Sequence, residues 1–381
     1  MTSLLLIFIY LAFVSLGLPD SLLGSAWPAM HQSLNVPLAS AGLITMIISI
    51  GTILSSLFAN RLIRKRGTAA VTTWSVFLTA LALLGFALSP TFWGLCLLAI
   101  PYGLGAGAID TALNNFVALH FSSRHMNWLH CMWGVGATLS PILMGTSLRN
   151  GFGWRGGYLL VAGIQAIIWI ALIISLPLWH RFAEVTPTDA EPLITDREPL
   201  WHIKGFKAAT LSFFVYNALE QTTGLWTSSF LVKGRAISVA SAAQYTAFFY
   251  MGIMTGRFFA GVLANRVSDR RLIQTGLGCL ALGTLLLLIP TSGTAILALP
   301  LMGLGCAPIY PSLIHETPTT FGPARSQAMI GYQMASAYTG TTLLPPLFGW
   351  LTQTIGIQLF PLLLAGLVLI LTSAIYRIHH L

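Results

Sequence analysis

Apolar runs of about 20 residues, each long enough to cross a bilayer as a helix, recur twelve times along this chain. Nothing else in the sequence limits the fold as much. They lie at approximately 3–30, 38–60, 69–89, 92–120, 126–148 and 156–179, then at 207–232, 241–264, 272–290, 295–318, 327–352 and 355–376. Charged residues are 8% of the 381, against about 25% in a soluble domain, and mean hydropathy is +0.79. The expectation is an all-α membrane protein with twelve transmembrane helices. Two six-helix bundles, 1–179 and 207–381, are expected to flank a polar, cytoplasmic linker at 180–206.

The net charge of +9 is a topology signal rather than a sign of nucleic acid. Fourteen of the 19 Lys and Arg residues fall in alternate loops, among them Arg61, Arg64, Lys65, Arg66, Arg266, Arg270 and Arg271. The other side has only Arg149, Arg155, Lys233 and Arg235, and Arg257 alone lies within a span. The positive-inside rule places the fourteen, and both termini, in the cytoplasm. Residues 1–30 lack a basic start and contain Asp20, so they read as a retained first helix rather than a signal peptide. The four cysteines (Cys96, Cys131, Cys279, Cys306) fall in spans without a CxxC pair and read as packing residues.

The halves repeat. At an offset near 200, Gly103-Leu104-Gly105 falls on Gly303-Leu304-Gly305, and Asp20 with Gly24 falls on Glu220 with Gly224. Pro141 to Gly145 falls on Pro345 to Gly349, and Ala59-Asn60-Arg61 matches Ala264-Asn265-Arg266. The common order of these short matches implies a duplicated six-helix unit, with a binding site at the repeat interface near mid-bilayer.

Over its whole length the sequence resembles the major facilitator superfamily. Ser56 to Lys65 is similar to that family's motif after helix 2, with Ser56, Asn60 and Ile63 in place of Gly, Asp and Gly. The copy after helix 8, from Gly261 to Arg266, again has Asn at position 265. An amide cannot ion-pair with Arg, which puts the family's charge latch in doubt here. Within the superfamily, Asp110-Thr111-Ala112-Leu113-Asn114 resembles the helix 4 element of the fucose:proton symporters and related sugar transporters. Gly17-Leu18-Pro19-Asp20 with Gly24 and Trp27-Pro28 resembles their helix 1, and Asn127-Trp128 through Gly136 their helix 5. Tyr216, Glu220, Gly224 and Trp226 resemble the helix 7 pattern.

Intramembrane polar residues mark the candidate site. A charge at bilayer depth costs roughly 2.5–3.5 kcal/mol even on the lenient insertion scale, so it usually belongs to a pathway. Asp110 and Asn114, four residues apart, share one helix face. Asp110 is the first candidate for proton coupling, against a role in tying helices together; Asp20 and Glu220 are the companion acids. Asn114 can bind a hydroxyl-bearing solute or bond to a neighbouring helix. Arg257 either pairs with an acid, Glu220 or one in the first half, or binds an anionic substrate directly. His130 is a proton relay or a packing histidine. Trp27, Trp133, Trp226, Tyr310 and Tyr332 are candidates for stacking on a sugar, Tyr310 at the repeat position of Asp110. Gln221, Gln244 and Gln333 are candidate hydroxyl partners.

These residues point to a secondary active transporter, with proton-coupled symport of a sugar or other small polar solute by alternating access. The alternatives are a proton-antiport exporter of drugs or metabolites, an organic-anion carrier using Arg257, and a non-transporting membrane sensor. No Ser/His/Asp elbow or His-Glu-x-x-His pair supports an enzyme. No cofactor or metal is expected beyond the coupling ion, proton or alternatively sodium. The expected partners are the solute and the lipid of the plasma (inner) membrane, with the chain monomeric.

Overall fold

The first span is broken at a proline. α1 (Thr2–Asp20) and α2 (Leu22–Ser33) meet at Ser21, just after Pro19. Pro19 has no N–H for the carbonyl of Ser15, one turn back. That carbonyl instead accepts from Gln165 Nε2 at 2.6 Å, so a polar side chain from a distant helix repairs the break.

The computed structural model describes residues 2–121, 123–179, 200–263 and 266–380. Eleven further helices follow: α3 (Ala41–Arg66), α4 (Thr68–Leu88), α5 (Phe92–His120), α6 (Ser123–Arg149), α7 (Gly153–Trp179), α8 (Phe206–Arg235), α9 (Val239–Leu263), α10 (Asp269–Leu288), α11 (Ser292–Phe321), α12 (Pro323–Thr354) and α13 (Phe360–His379). With α1 and α2 counted together, these are the twelve spans, and no strand occurs among the described residues. Most of the linker, 180–199, lies outside the described residues, as do positions 264 and 265 of the second motif copy and the side chains of Asn60 and Asn127. Among the described residues, a 3-10 turn at Leu200–His202 precedes α8.

Two of the helices start at a capping threonine. Thr91 starts α5 by accepting from the N–H of Gly94, and Thr291 starts α11 by accepting from that of Thr294. Among the described residues, nine spans are both long and apolar enough to cross a membrane. The other three, α6, α8 and α12, reach 27, 30 and 32 residues but carry more polar side chains. All three contribute residues to the central cavity.

The repeat seen in the sequence is a repeat in packing. In α5, Gly103 lies against the backbone of Ile48 in α3, and Gly105 against Ser75 and Thr79 in α4. In α11, Gly303 lies against the backbone of Phe249 in α9, and Gly305 against Gly276 and Leu280 in α10. Each Gly-Leu-Gly therefore lets one helix approach two neighbours of its own half where a Cβ would strike main chain. Cys96, Cys131 and Cys306 are buried as free thiols.

Between the halves, α6 packs on α9, α3 on α12 and α2 on α8. These contacts close one end of the molecule, where the turns at 34–40 and 355–356 lie. There Gly24 rests against the carbonyl of Gly224, Gly42 against Pro346, and Arg149 donates to Gln244 at 2.6 Å. At the opposite, basic end, α5 and α11 form no packed pair among the described residues.

Candidate functional site

A cavity of about 310 Å³ lies between the halves and is lined from both. That is the lower end of the roughly 300–1,000 Å³ typical of small-molecule sites. The first half contributes Asp20, Tyr102, Asp110, His130 and Trp133, with Thr45, Ser49 and Thr52 of α3. The second contributes Asn217, Glu220, Gln221, Tyr250, Arg257 and Tyr310, with Tyr338 and Thr341 of α12.

Asp20 sits at the helix break with its side chain open to the cavity. Tyr102 Oη donates to one carboxylate oxygen at 3.0 Å and Trp133 Nε1 to the other at 2.8 Å. Asp110 is half-buried two turns along α5 from Tyr102, and Asn114 Nδ2 donates to its carboxylate at 2.8 Å and to its carbonyl at 2.9 Å. The helical spacing thus does bring Asp110 and Asn114 together, but the amide is spent on the acid and does not line the cavity.

Glu220 is buried at 8% exposure, with Arg257 Nη2 4.0 Å from its Oε1. On its other oxygen, Tyr216 Oη lies 2.5 Å away and also lies 2.9 Å from the carbonyl of Cys306. A phenol has one hydrogen to give. With Glu220 ionised, that hydrogen points at the carboxylate. With Glu220 protonated, the carboxyl donates to Tyr216 and the phenol turns to Cys306. Either arrangement leaves Glu220 with a hydrogen-bonded partner.

The sequence profile of the Major Facilitator Superfamily matches residues 9–313 and again 209–379. The chain belongs to that superfamily. The chain is 24% identical to the glucose/mannose transporter GlcP of Bacillus subtilis over 366 residues, 90% of this chain and 87% of the relative. Among solved structures it is similar to the nucleoside transporter NupG, with a TM-score of 0.75 at 16% identity over 97% of this chain and 98% of that one. It is also similar to a bacterial homologue of the human lysosomal transporter Spinster in an inward-facing, occupied conformation. There the TM-score is 0.72 at 12% identity, over 99% and 96% of the two chains. The molecule is a multi-pass membrane transporter of this superfamily, whose members carry solutes rather than catalyse reactions.

In this major facilitator protein, eight residues singled out from sequence meet at the cavity: Asp20, Asp110, His130, Trp133, Glu220, Gln221, Arg257 and Tyr310. His130 also meets the ring of Phe13 edge-on at 5.6 Å, so it packs against α1 while lining the cavity. Tyr310 packs beside Phe213 and Tyr216, with its hydroxyl 3.0 Å from the sulfur of Met334.

Three other candidates are elsewhere. Trp27 and Trp226 are fully buried, and their indole N–H groups are bonded to the carbonyls of Leu38 and Pro345. Gln333 is buried and accepts from Thr317. All three are corrected to packing positions, because none of them lines the cavity. Gln244 serves the closed end through Arg149.

Sequence reasoning missed Tyr102 and Tyr250. Tyr102, Ala106 and Asp110 recur at steps of four and share a face, a signal that would have found the first; nothing local marks the second. At the basic end His315 pairs with Asp269 at 2.6 Å and His379 with Glu316 at 3.0 Å. Both pairs join helices of the second half only, so they do not latch the halves together.

Proposed function

We propose that this transporter is a proton-coupled symporter of a hexose or similarly small, hydroxyl-rich solute, working by alternating access. One observation carries the reading: three carboxylates, Asp20, Asp110 and Glu220, and one guanidinium, Arg257, face a single cavity between two duplicated halves. Carboxylates confined there exchange protons with whichever side the cavity faces, and rocking of the halves alternates that side. Amide and hydroxyl groups of Asn217, Gln221, Thr45 and Thr341 are suited to a neutral polyol. The similarity to a glucose/mannose transporter supports the same class of solute.

The basic ends of the helices are cytoplasmic on the positive-inside rule, so both termini lie in the cytoplasm and the cavity opens inward. The cavity is enclosed by one chain, and the monomer is the transporting unit. An organic anion is disfavoured, because Arg257 already has Glu220 and the face of Trp133 as neighbours. A drug exporter would call for a wider and more apolar chamber.

Purified protein in proteoliposomes, given labelled D-glucose, D-mannose and D-galactose, tests this directly. An inward proton gradient should drive accumulation of at least one of them, and a protonophore should collapse it. Accumulation that ignores the protonophore, or no flux of any of the three, would sink the reading.

A further inference from the structure

Trp133 touches the charged groups of both halves at once. Its indole N–H donates to Asp20 in the first half at 2.8 Å. The guanidinium of Arg257, in the second half, lies over its ring, 4.9 Å from the centroid. Arg257 in turn stands 4.0 Å from Glu220, more than an ångström beyond the roughly 2.7–2.9 Å of a formed charge-assisted bond. The cation is therefore shared between an aromatic face and a carboxylate and committed to neither. The backbone beneath the ring has little freedom. Gly17 of α1 packs against the carbonyl of Trp133, and Gly134 packs against Met254 of α9. Within this conformation, rotation of the side chain is the freedom left to the indole.

We propose that Trp133 is a positioning residue that couples the protonation of Asp20 to the Glu220–Arg257 pair across the interface between the halves. The inference rests on the proton-coupled reading above. Ionised Asp20 is the stronger acceptor and holds the indole with its face under Arg257. When Asp20 takes up a proton, the N–H bond weakens, the ring loses its anchor and Arg257 closes on Glu220. A proton gained in one half is thus registered as an ion pair tightened in the other, and a contact that spans the halves is released.

Asp20 is faced by Tyr102 of α5 and Trp133 of α6, with Asp110 of α5, Glu220 of α8 and Tyr250 of α9 on the same cavity. Arg257 is faced by Glu220 and Trp133, with His130 of α6 beside them. Among these described residues, Trp133 is the one in contact with both Asp20 and Arg257.

Spin labels attached through ketone-bearing residues at positions 119 and 319, exposed near the basic ends of α5 and α11, report the opening of the cavity without any solute. Distances are measured by pulsed EPR in nanodiscs from pH 5 to pH 8. The wild type should change population in one step, and Asp20→Asn should abolish the step. Trp133→Phe, which keeps a ring under Arg257 and loses the N–H, should move the midpoint by about one pH unit or more. Trp133→Leu should remove the step. If both Trp133 variants titrate at the wild-type midpoint while Asp20→Asn does not titrate, the coupling role of Trp133 is overturned and proton coupling stands. If Asp20→Asn keeps the step, the proton is registered at another acid of the cavity and the coupling role of Trp133 is overturned; if the wild type shows no step, the proton-coupled reading itself fails.

Discussion

Gln165 donates its side-chain amide to the carbonyl of Ser15, the carbonyl that Pro19 leaves without its helical donor. The bond ties α7 to α1 at Ser15, one turn before Pro19, so the helix break that presents Asp20 is held from outside the helix. Gln165 is wholly buried, and its Oε1 has no partner among the described residues. Gln165→Leu removes that orphaned oxygen along with the bond, and should cost only about 1 kcal/mol. Gln165→Ala also leaves a cavity and should cost about 2–4 kcal/mol. Melting curves in detergent for the two variants check the order.

Asp110→Asn should abolish uphill accumulation and spare exchange, because the amide can still bond to Asn114 but cannot carry a proton. With one proton per solute, the wild type should accumulate about tenfold per unit of pH gradient. The variant should reach only equal concentrations. Paired uptake and counterflow assays in proteoliposomes distinguish the two outcomes.

Glu220 and Arg257 should behave as a coupled pair. Either charge left alone retains a second neighbour, Tyr216 for the acid and Trp133 for the cation. Each single neutralisation should therefore cost less than the roughly 3–5 kcal/mol of an abandoned buried charge. A double-mutant cycle of Glu220→Gln with Arg257→Gln should give an interaction energy of about 0.5–3 kcal/mol. Additive losses of thermal stability would mean that the two do not interact.

Two glycines from the repeat should fail in different ways. Gly103 meets α3 of its own half, so Gly103→Ala should lower stability by about 1–3 kcal/mol through overpacking. Gly24 meets Gly224 across the halves at the closed end. Gly24→Ala should leave each bundle folded and impede closure there. Labelling of cysteines placed in the 34–40 and 355–356 turns should then rise, with melting temperature little changed.

Gln221 and Trp27 separate a solute contact from a structural one. Gln221 lines the cavity, and Gln221→Ala should raise the apparent KM about 3–10-fold, the loss of one hydrogen bond. Trp27→Phe removes its bond to Leu38 and should lower the melting temperature without changing KM.

The twelve spans, the duplication, the helix faces and the identity of the intramembrane acids were all legible along the chain. Hydropathy, loop charge and the four-residue step between Asp110 and Asn114 are local properties, and lipid leaves a helix few ways to satisfy its backbone. The direction in which a side chain is used was not legible. Trp27 and Trp226 have the composition of sugar platforms, yet their N–H groups were claimed by carbonyls 11 and 119 residues away. Trp133, a residue of the same kind, faces Asp20 and Arg257. Tertiary structure alone decided which aromatic met a charge, because that depends on how helices distant in sequence approach one another. It likewise decided that Arg257 stands between Glu220 and Trp133, and that the cavity is closed at one end by paired glycines.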